Sequence, residues 1–159
     1  MLSFLRTHPF LCCCQTGKNN YFSFFFSVSS YQARVALYTG GQLVKELNFN
    51  AQRTNNLNWF SASKLIDSSW RDMKSESKDV FSISGLSRDN RNFFINKNYG
   101  GCSKDAGWMG ITSNYCKWET RFLPRKNVIL YSKLSGYTNW NQYSKPTIYH
   151  GGVGVDYNQ

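Results

Sequence analysis

The chain has 159 residues, which is room for one domain and hardly two. Its 19 Lys and Arg against 9 Asp and Glu leave a formal net charge of +10, and 12 Phe, 10 Tyr and 5 Trp supply ample apolar surface to close a core. With 12 Gly, 3 Pro, no heptad pattern and no apolar run of the ~18–20 residues that a spanning helix needs, the composition excludes collagen, coiled coil, helical membrane span and wholly disordered chain.

Residues 1–30, MLSFLRTHPFLCCCQTGKNNYFSFFFSVSS, read as an atypical leader. A secretory signal needs a charged start, an apolar stretch of ~7–15 residues and a small-residue cleavage site. Here Arg6, His8 and Pro9 cut the apolar stretch to Phe10–Cys14, and Ser23 and Ser27 break the later cluster Phe22–Val28. The expectation is a disordered or non-native segment, such as a mis-started or mis-spliced reading frame would encode, rather than a working signal.

Gln32–Asn50 is the best local signal. Arg34–Thr39 is rich in β-branched and aromatic residues and Gly40-Gly41 follows; then Leu43, Lys45, Leu47 and Phe49 share one face, with Val44, Glu46 and Asn48 on the other. Two strands about a Gly-Gly turn make a hairpin, because type I′ turns need positive φ at both central positions. Ser61–Ile66 suggests the one short helix, about two turns long, with Ser61 as its cap. Val80–Ser84, Asn92–Asn96, Trp108–Thr112 and Asn127–Ser132 are further strand candidates, separated by the turn-forming clusters Gly85–Asn90, Asn98–Gly101 and Pro124–Lys126. Short strands at fairly regular spacing predict a mainly β fold over residues 31–145, a single antiparallel β-sandwich of jelly-roll-like form. Residues 146–159, with three glycines and no clear alternation, read as a frayed tail.

The five cysteines are Cys12, Cys13, Cys14, Cys102 and Cys116. Three in a row match no zinc spacing. Without the leader, Cys102 and Cys116 remain. A bridge between them would close a loop worth ~3 kcal/mol on the chain-entropy estimate and would favour an oxidising compartment. Two reduced core thiols in a cytosolic protein is the other reading.

The search for chemistry mostly gives negatives. Both histidines, His8 and His150, lie in the end segments, and there is no Gly-Lys-Ser/Thr phosphate loop. Asp105 sits in a turn, as an Asx-turn former or a lone calcium donor, where calcium wants six to eight oxygens. Glu119 beside Trp118 would make a general acid if buried, or pairs with Lys117 or Arg121. No catalytic residue, metal or cofactor is assigned. The only near-glycosylation sequon is Asn114-Tyr115-Cys116, so no N-glycan is expected.

The cations Arg88, Arg91, Lys97, Lys104, Lys117, Arg121, Arg125 and Lys126 are interleaved with Phe93, Phe94, Tyr99, Trp108, Tyr115 and Trp118. Such a set suits sulfated glycan, acidic protein or mineral, or single-stranded nucleic acid. The RNA-binding signature Lys/Arg-Gly-Phe/Tyr-Gly/Ala-Phe is absent, so nucleic acid is the weaker partner. The plain alternative is aromatics turned inward and cations outward on each strand. Trp59, Trp70 and Trp140 are candidates to stack on sugar rings, or else belong to the core.

Several ordered blocks together carry a resemblance. They are Asn58-Trp59-Phe60-Ser61, Lys64-Leu65, Ser69-Trp70-Arg71-Asp72, Phe81-Ser82-Ile83 and Arg91-Asn92-Phe93-Phe94-Ile95-Asn96; then Tyr99-Gly100-Gly101-Cys102, Asp105-Ala106-Gly107-Trp108, Cys116-Lys117-Trp118-Glu119 and Ile129-Leu130-Tyr131-Ser132-Lys133. The chain resembles a family of secreted, largely uncharacterised cnidarian proteins similar to coral skeletal organic matrix proteins. The resemblance implies a secreted β-rich module with Cys102 and Cys116 paired, and no catalytic residues. It also implies an opening strand before the hairpin and a closing hydrophobic strand, so this chain is expected to lack one or two terminal strands. The expected function is a non-enzymatic extracellular binding or structural module. The rivals are a carboxylate-dependent hydrolase and a functionless truncated intracellular isoform.

Overall fold

The computed structural model describes residues 11–16, 20–27, 31–39, 42–86, 91–112, 116–120, 128–141 and 148–152. Its strands are β1 (Leu11–Thr16), β2 (Asn20–Ser27), β3 (Gln32–Thr39), β4 (Gln42–Asn50), β5 (Leu65–Ser68), β6 (Val80–Ser82), β7 (Asn92–Asn98), β8 (Ala106–Thr112), β9 (Val128–Ser132), β10 (Thr138–Asn139) and β11 (Ile148–Gly152). They form two antiparallel sheets, ordered β1-β2-β3-β4-β5 and β11-β9-β8-β7-β6, with β10 added to β8. The fold is therefore mainly β and sandwich-like. The first sheet is a meander; in the second, β6 to β9 follow chain order, and β11 and β10 return to pair with the non-consecutive strands β9 and β8.

The predicted hairpin is present as β3 and β4, with a register shift at Leu37/Tyr38. Period-2 alternation turns Ala33, Val35 and Leu37 of β3 and Leu47 and Phe49 of β4 into the core. The opposite sheet meets them with Ile95, Met109, Ile129 and Tyr131, and the loop residues Trp59, Phe60, Trp70 and Met73 fill the space between. Phe49, Trp59, Phe60, Phe81 and Phe93 interlock edge to face, with centroids 5.0–6.0 Å apart.

The second sheet is buried on both faces. Met109↔Tyr131 and Ile111↔Ile129 lie on the side of the main core, so Gly110↔Leu130 must point outward. There Leu130 joins Cys116, Trp118 and Trp140 in a smaller core. A Cβ at Gly110 would run into the Phe94 ring, so glycine is what lets that ring lie flat across β8.

Three expectations are corrected. The segment read as a disordered leader contributes β1 and β2, which pair in register with each other and with β3. The tail contributes β11, paired with β9. An apolar strand with an unpaired edge gains a full ladder of backbone hydrogen bonds by taking such a partner, whatever the local propensity. Finally, Ser61–Ile66 is not a two-turn helix. Ala62–Lys64 is a single 3-10 turn, and Leu65–Ser68 leaves it to pair with β4. Among the described residues there is one α-helical turn, α1 (Lys117–Thr120), which was not expected.

Candidate functional site

Beneath the smaller core lies the strongest electrostatic feature of the described residues. Arg91 enters β7 beside Phe93, whose φ of +47° interrupts the regular alternation. Its guanidinium is fully buried. Arg91 Nε donates to Glu119 Oε1 at 2.6 Å, Nη1 to Asp105 Oδ2 at 3.0 Å and Nη2 to Cys116 Sγ at 3.0 Å. Both carboxylates are 0% exposed. The rings of Trp118, Tyr99 and Phe94 lie 4.9, 5.3 and 5.2 Å from the guanidinium carbon. A planar five-donor cation meets two carboxylates and three ring faces, which is the only kind of environment that repays its desolvation.

Local chain geometry delivers each partner. Lys104 N and Asp105 N both donate to Gly101 O across a turn that needs the positive φ of Gly101, +86°. This turn swings Asp105 inward while its carbonyl accepts Trp140 N at 3.0 Å. Glu119 N donates to Cys116 O, and Glu119 Oε2 accepts Cys116 N at 2.9 Å, the reach-back of a capping-box glutamate. The Cys102–Cys116 disulfide, Cα–Cα 5.5 Å, ties the two segments together over the cluster.

A second knot joins the loop after β5 to the loop between β9 and β10. Asp72 Oδ1 accepts Trp108 Nε1 at 2.7 Å and Asp72 Oδ2 accepts Tyr137 N at 2.9 Å. Arg71 N donates to Ser135 O, and Trp70 Nε1 to Ser132 O at 2.9 Å. Lys45 Nζ reaches Leu134 O at 2.6 Å and lies over the Trp70 ring, and burial pushes its pKa down. Lys97 pairs with Glu76 at 2.6 Å and stacks 4.0 Å from the Tyr137 ring; its hydrogen bond to Glu76, then that to Tyr137, pushes its pKa up.

The expected anion-binding set divides. Lys104 and Lys117 are exposed, one on each side of the disulfide. Arg91 is corrected: it faces inward, and its charge is taken by Asp105 and Glu119. Lys97 is half-buried and committed to Glu76. Arg88, Arg121, Arg125 and Lys126 lie outside the described residues.

The sugar-stacking reading of the tryptophans is also corrected. Trp59 is 3% exposed, and Trp70 and Trp140 are 1% exposed, so no ring face is offered to a ligand. Trp59 packs edge-on to Phe49, while Trp140 stacks on Trp118 at 5.8 Å and donates to Asn96 Oδ1 at 2.9 Å. Glu119 pairs with Arg91, Arg121 lies outside the described residues, and Asp105 is an ion-pair partner of the same guanidinium.

The hydrolase reading needed two carboxylates in one cleft. Asp105 and Glu119 do converge on one guanidinium, but both carboxylates are fully buried there, with Phe94, Tyr99 and Trp118 packed against the guanidinium. The shallow depression lined by Val35, Leu37, Leu47, Trp70 and Met109 leaves no space for a water-sized molecule. Among the described residues there is no cluster of His, Cys, Asp and Glu able to hold a metal ion, and no helix is long and apolar enough to cross a membrane. Comparisons with family models, with curated proteins and with solved structures return no match.

Proposed function

We propose that the chain is a non-enzymatic extracellular binding or structural module, whose outer cations contact an anionic glycan, an acidic matrix protein or mineral. One observation carries this reading: among the described residues, six carboxylates are engaged within the fold while six cations lie exposed on its surface. Asp105 and Glu119 are sealed around Arg91, Glu46 pairs with Arg34, Glu76 with Lys97, Asp72 accepts Trp108 and Tyr137, and Asp79 accepts Tyr99 N. Arg53, Arg71, Lys74, Lys104, Lys117 and Lys133 are exposed. A chain of net charge +10 organised in this way presents a positive field to an approaching polyanion.

The disulfide supports the extracellular part, because such bridges persist in oxidising compartments, and it counts against a truncated intracellular isoform. The closed setting of Asp105 and Glu119 counts against the hydrolase. The partner is read by charge rather than by ring stacking, since the tryptophans are inside. The test is retention of the folded chain on immobilised heparin. Retention with release by salt is expected, weakened in the Lys104→Glu/Lys117→Glu variant, because exposed charges are screened within ~10 Å at 0.1 M salt. Passage through the column at low salt would sink the anionic-partner reading.

A further inference from the structure

We infer that the Cys102–Cys116 disulfide is a thiol-exchange site open from one side: a low-molecular-weight thiolate adds at Cys102 and displaces Cys116 toward Arg91. The two sulfurs of this bond sit in opposite surroundings. Cys102 lies on an exposed turn between Gly101 and the exposed Ser103 and Lys104. Cys116 is 2% exposed and packed with Trp118, Leu130 and Trp140, and its Sγ accepts the Arg91 Nη2 hydrogen bond at 3.0 Å.

Exchange depends on access and on which sulfur departs. The approach to Cys116 is filled by the smaller core, whereas Cys102 faces solvent. In the step, the electron pair of the incoming thiolate forms a new S–S bond to Cys102 Sγ. The Cys102–Cys116 bond breaks, and its pair stays on Cys116 Sγ as a thiolate. One disulfide replaces another, with no net oxidation. The departing sulfur already has an N–H donor, from a guanidinium that does not deprotonate in proteins.

The neighbouring charges make the step reversible. Asp105 and Glu119 face the same guanidinium, so a Cys116 thiolate puts three anions on one cation. That thiolate stays in place and attacks back, so the mixed disulfide forms and reverts. The site thus exchanges a small thiol on and off Cys102, with the Cys116 sulfur beside Arg91 as the returning nucleophile.

The test is to incubate the folded full-length chain with glutathione at mildly alkaline pH, quench with acid, alkylate free thiols and map the peptides without reduction. Glutathione on Cys102 and alkylation of Cys116 are expected, with the Cys102 adduct exceeding the Cys116 adduct at least about tenfold. In the urea-unfolded chain the preference should vanish. Equal adducts, an excess on Cys116, or no adduct on the folded chain where the unfolded chain reacts would each overturn the inference.

Discussion

Arg91→Met removes the guanidinium but keeps an unbranched side chain of similar reach. It strands Asp105 and Glu119, which lose donors at 3.0 and 2.6 Å, and it takes the cation away from three ring faces. Removing one partner of a buried ion pair costs about 3–5 kcal/mol. Two carboxylates are stranded at once here, but water entry limits the sum, so about 5 kcal/mol is expected. That is between about a third and all of the stability of a typical domain, about 5–15 kcal/mol. The assay is urea unfolding at neutral pH with the disulfide intact, followed by tryptophan fluorescence. Should Arg91→Met be too unstable to fold, Glu119→Gln gives a milder reading of about 1–3 kcal/mol, since its amide oxygen still accepts Cys116 N. Arg91→Met/Asp105→Leu/Glu119→Leu should recover most of the loss, because an apolar replacement of a whole buried ion cluster is often neutral. A loss under about 1 kcal/mol in Arg91→Met would refute the reasoning, since a truly buried cation cannot be removed from two carboxylates so cheaply.

Single contacts carry further predictions. Asp72→Ala leaves Trp108 Nε1 and Tyr137 N without their acceptor, and should cost about 1–3 kcal/mol in urea unfolding, with a changed near-UV tryptophan signal. Gly107→Ala drives a Cβ into Asn96 Oδ1, which also holds Trp140, and into the Ile95 carbonyl, so about 1–3 kcal/mol of overpacking is expected from the same assay. Lys97 has a raised pKa, so its contribution to stability is fully present below the ordinary lysine value of 10.5 and is lost as pH rises through the folded value. In an NMR titration of ¹³C-methylated lysines it should be among the last to deprotonate, and Glu76→Gln should bring it back. Titration of Lys97 at or below 10.5 in the unmutated chain would contradict the pairing.

The legible part of this fold was the part set by period-2 alternation. β3, β4, β6, β7, β8 and β9 lie where β-branched and aromatic residues alternate between turn-forming clusters. The misread parts are those where the tertiary context decides. β1, β2 and β11 have no clean alternation, and their pairing comes from the edges of β3 and β9. Ser61–Ile66 has a helix-start residue, yet Leu65–Ser68 gains more as a partner of β4.

The candidate site was half visible. The pairing of Cys102 with Cys116 could be weighed from the sequence, and so could the exposed lysines beside it. The inward turn of Arg91 could not, because a bulge at Phe93 breaks the alternation that would have placed it. One signal was available. Asp105 follows Cys102 by three residues, and Glu119 follows Cys116 by three. A bridge between those cysteines places two carboxylates in neighbouring segments, and if both are buried they demand a cation. The tryptophans were ambiguous for a different reason. An aromatic residue in a loop reads the same whether it caps a core or stacks on a ligand, and only the packing of Trp59 on Phe49 and of Trp140 on Trp118 tells them apart.

The Cys102–Cys116 disulfide joins the two segments that supply Asp105 and Glu119 to Arg91, and the proposed extracellular function rests on it. The most direct measurement is the intact mass of the folded chain with and without reductant, followed by non-reducing peptide mapping. A loss of two hydrogens mapped to Cys102 and Cys116 is the predicted result. Free thiols at both positions in a soluble, folded chain would contradict the account.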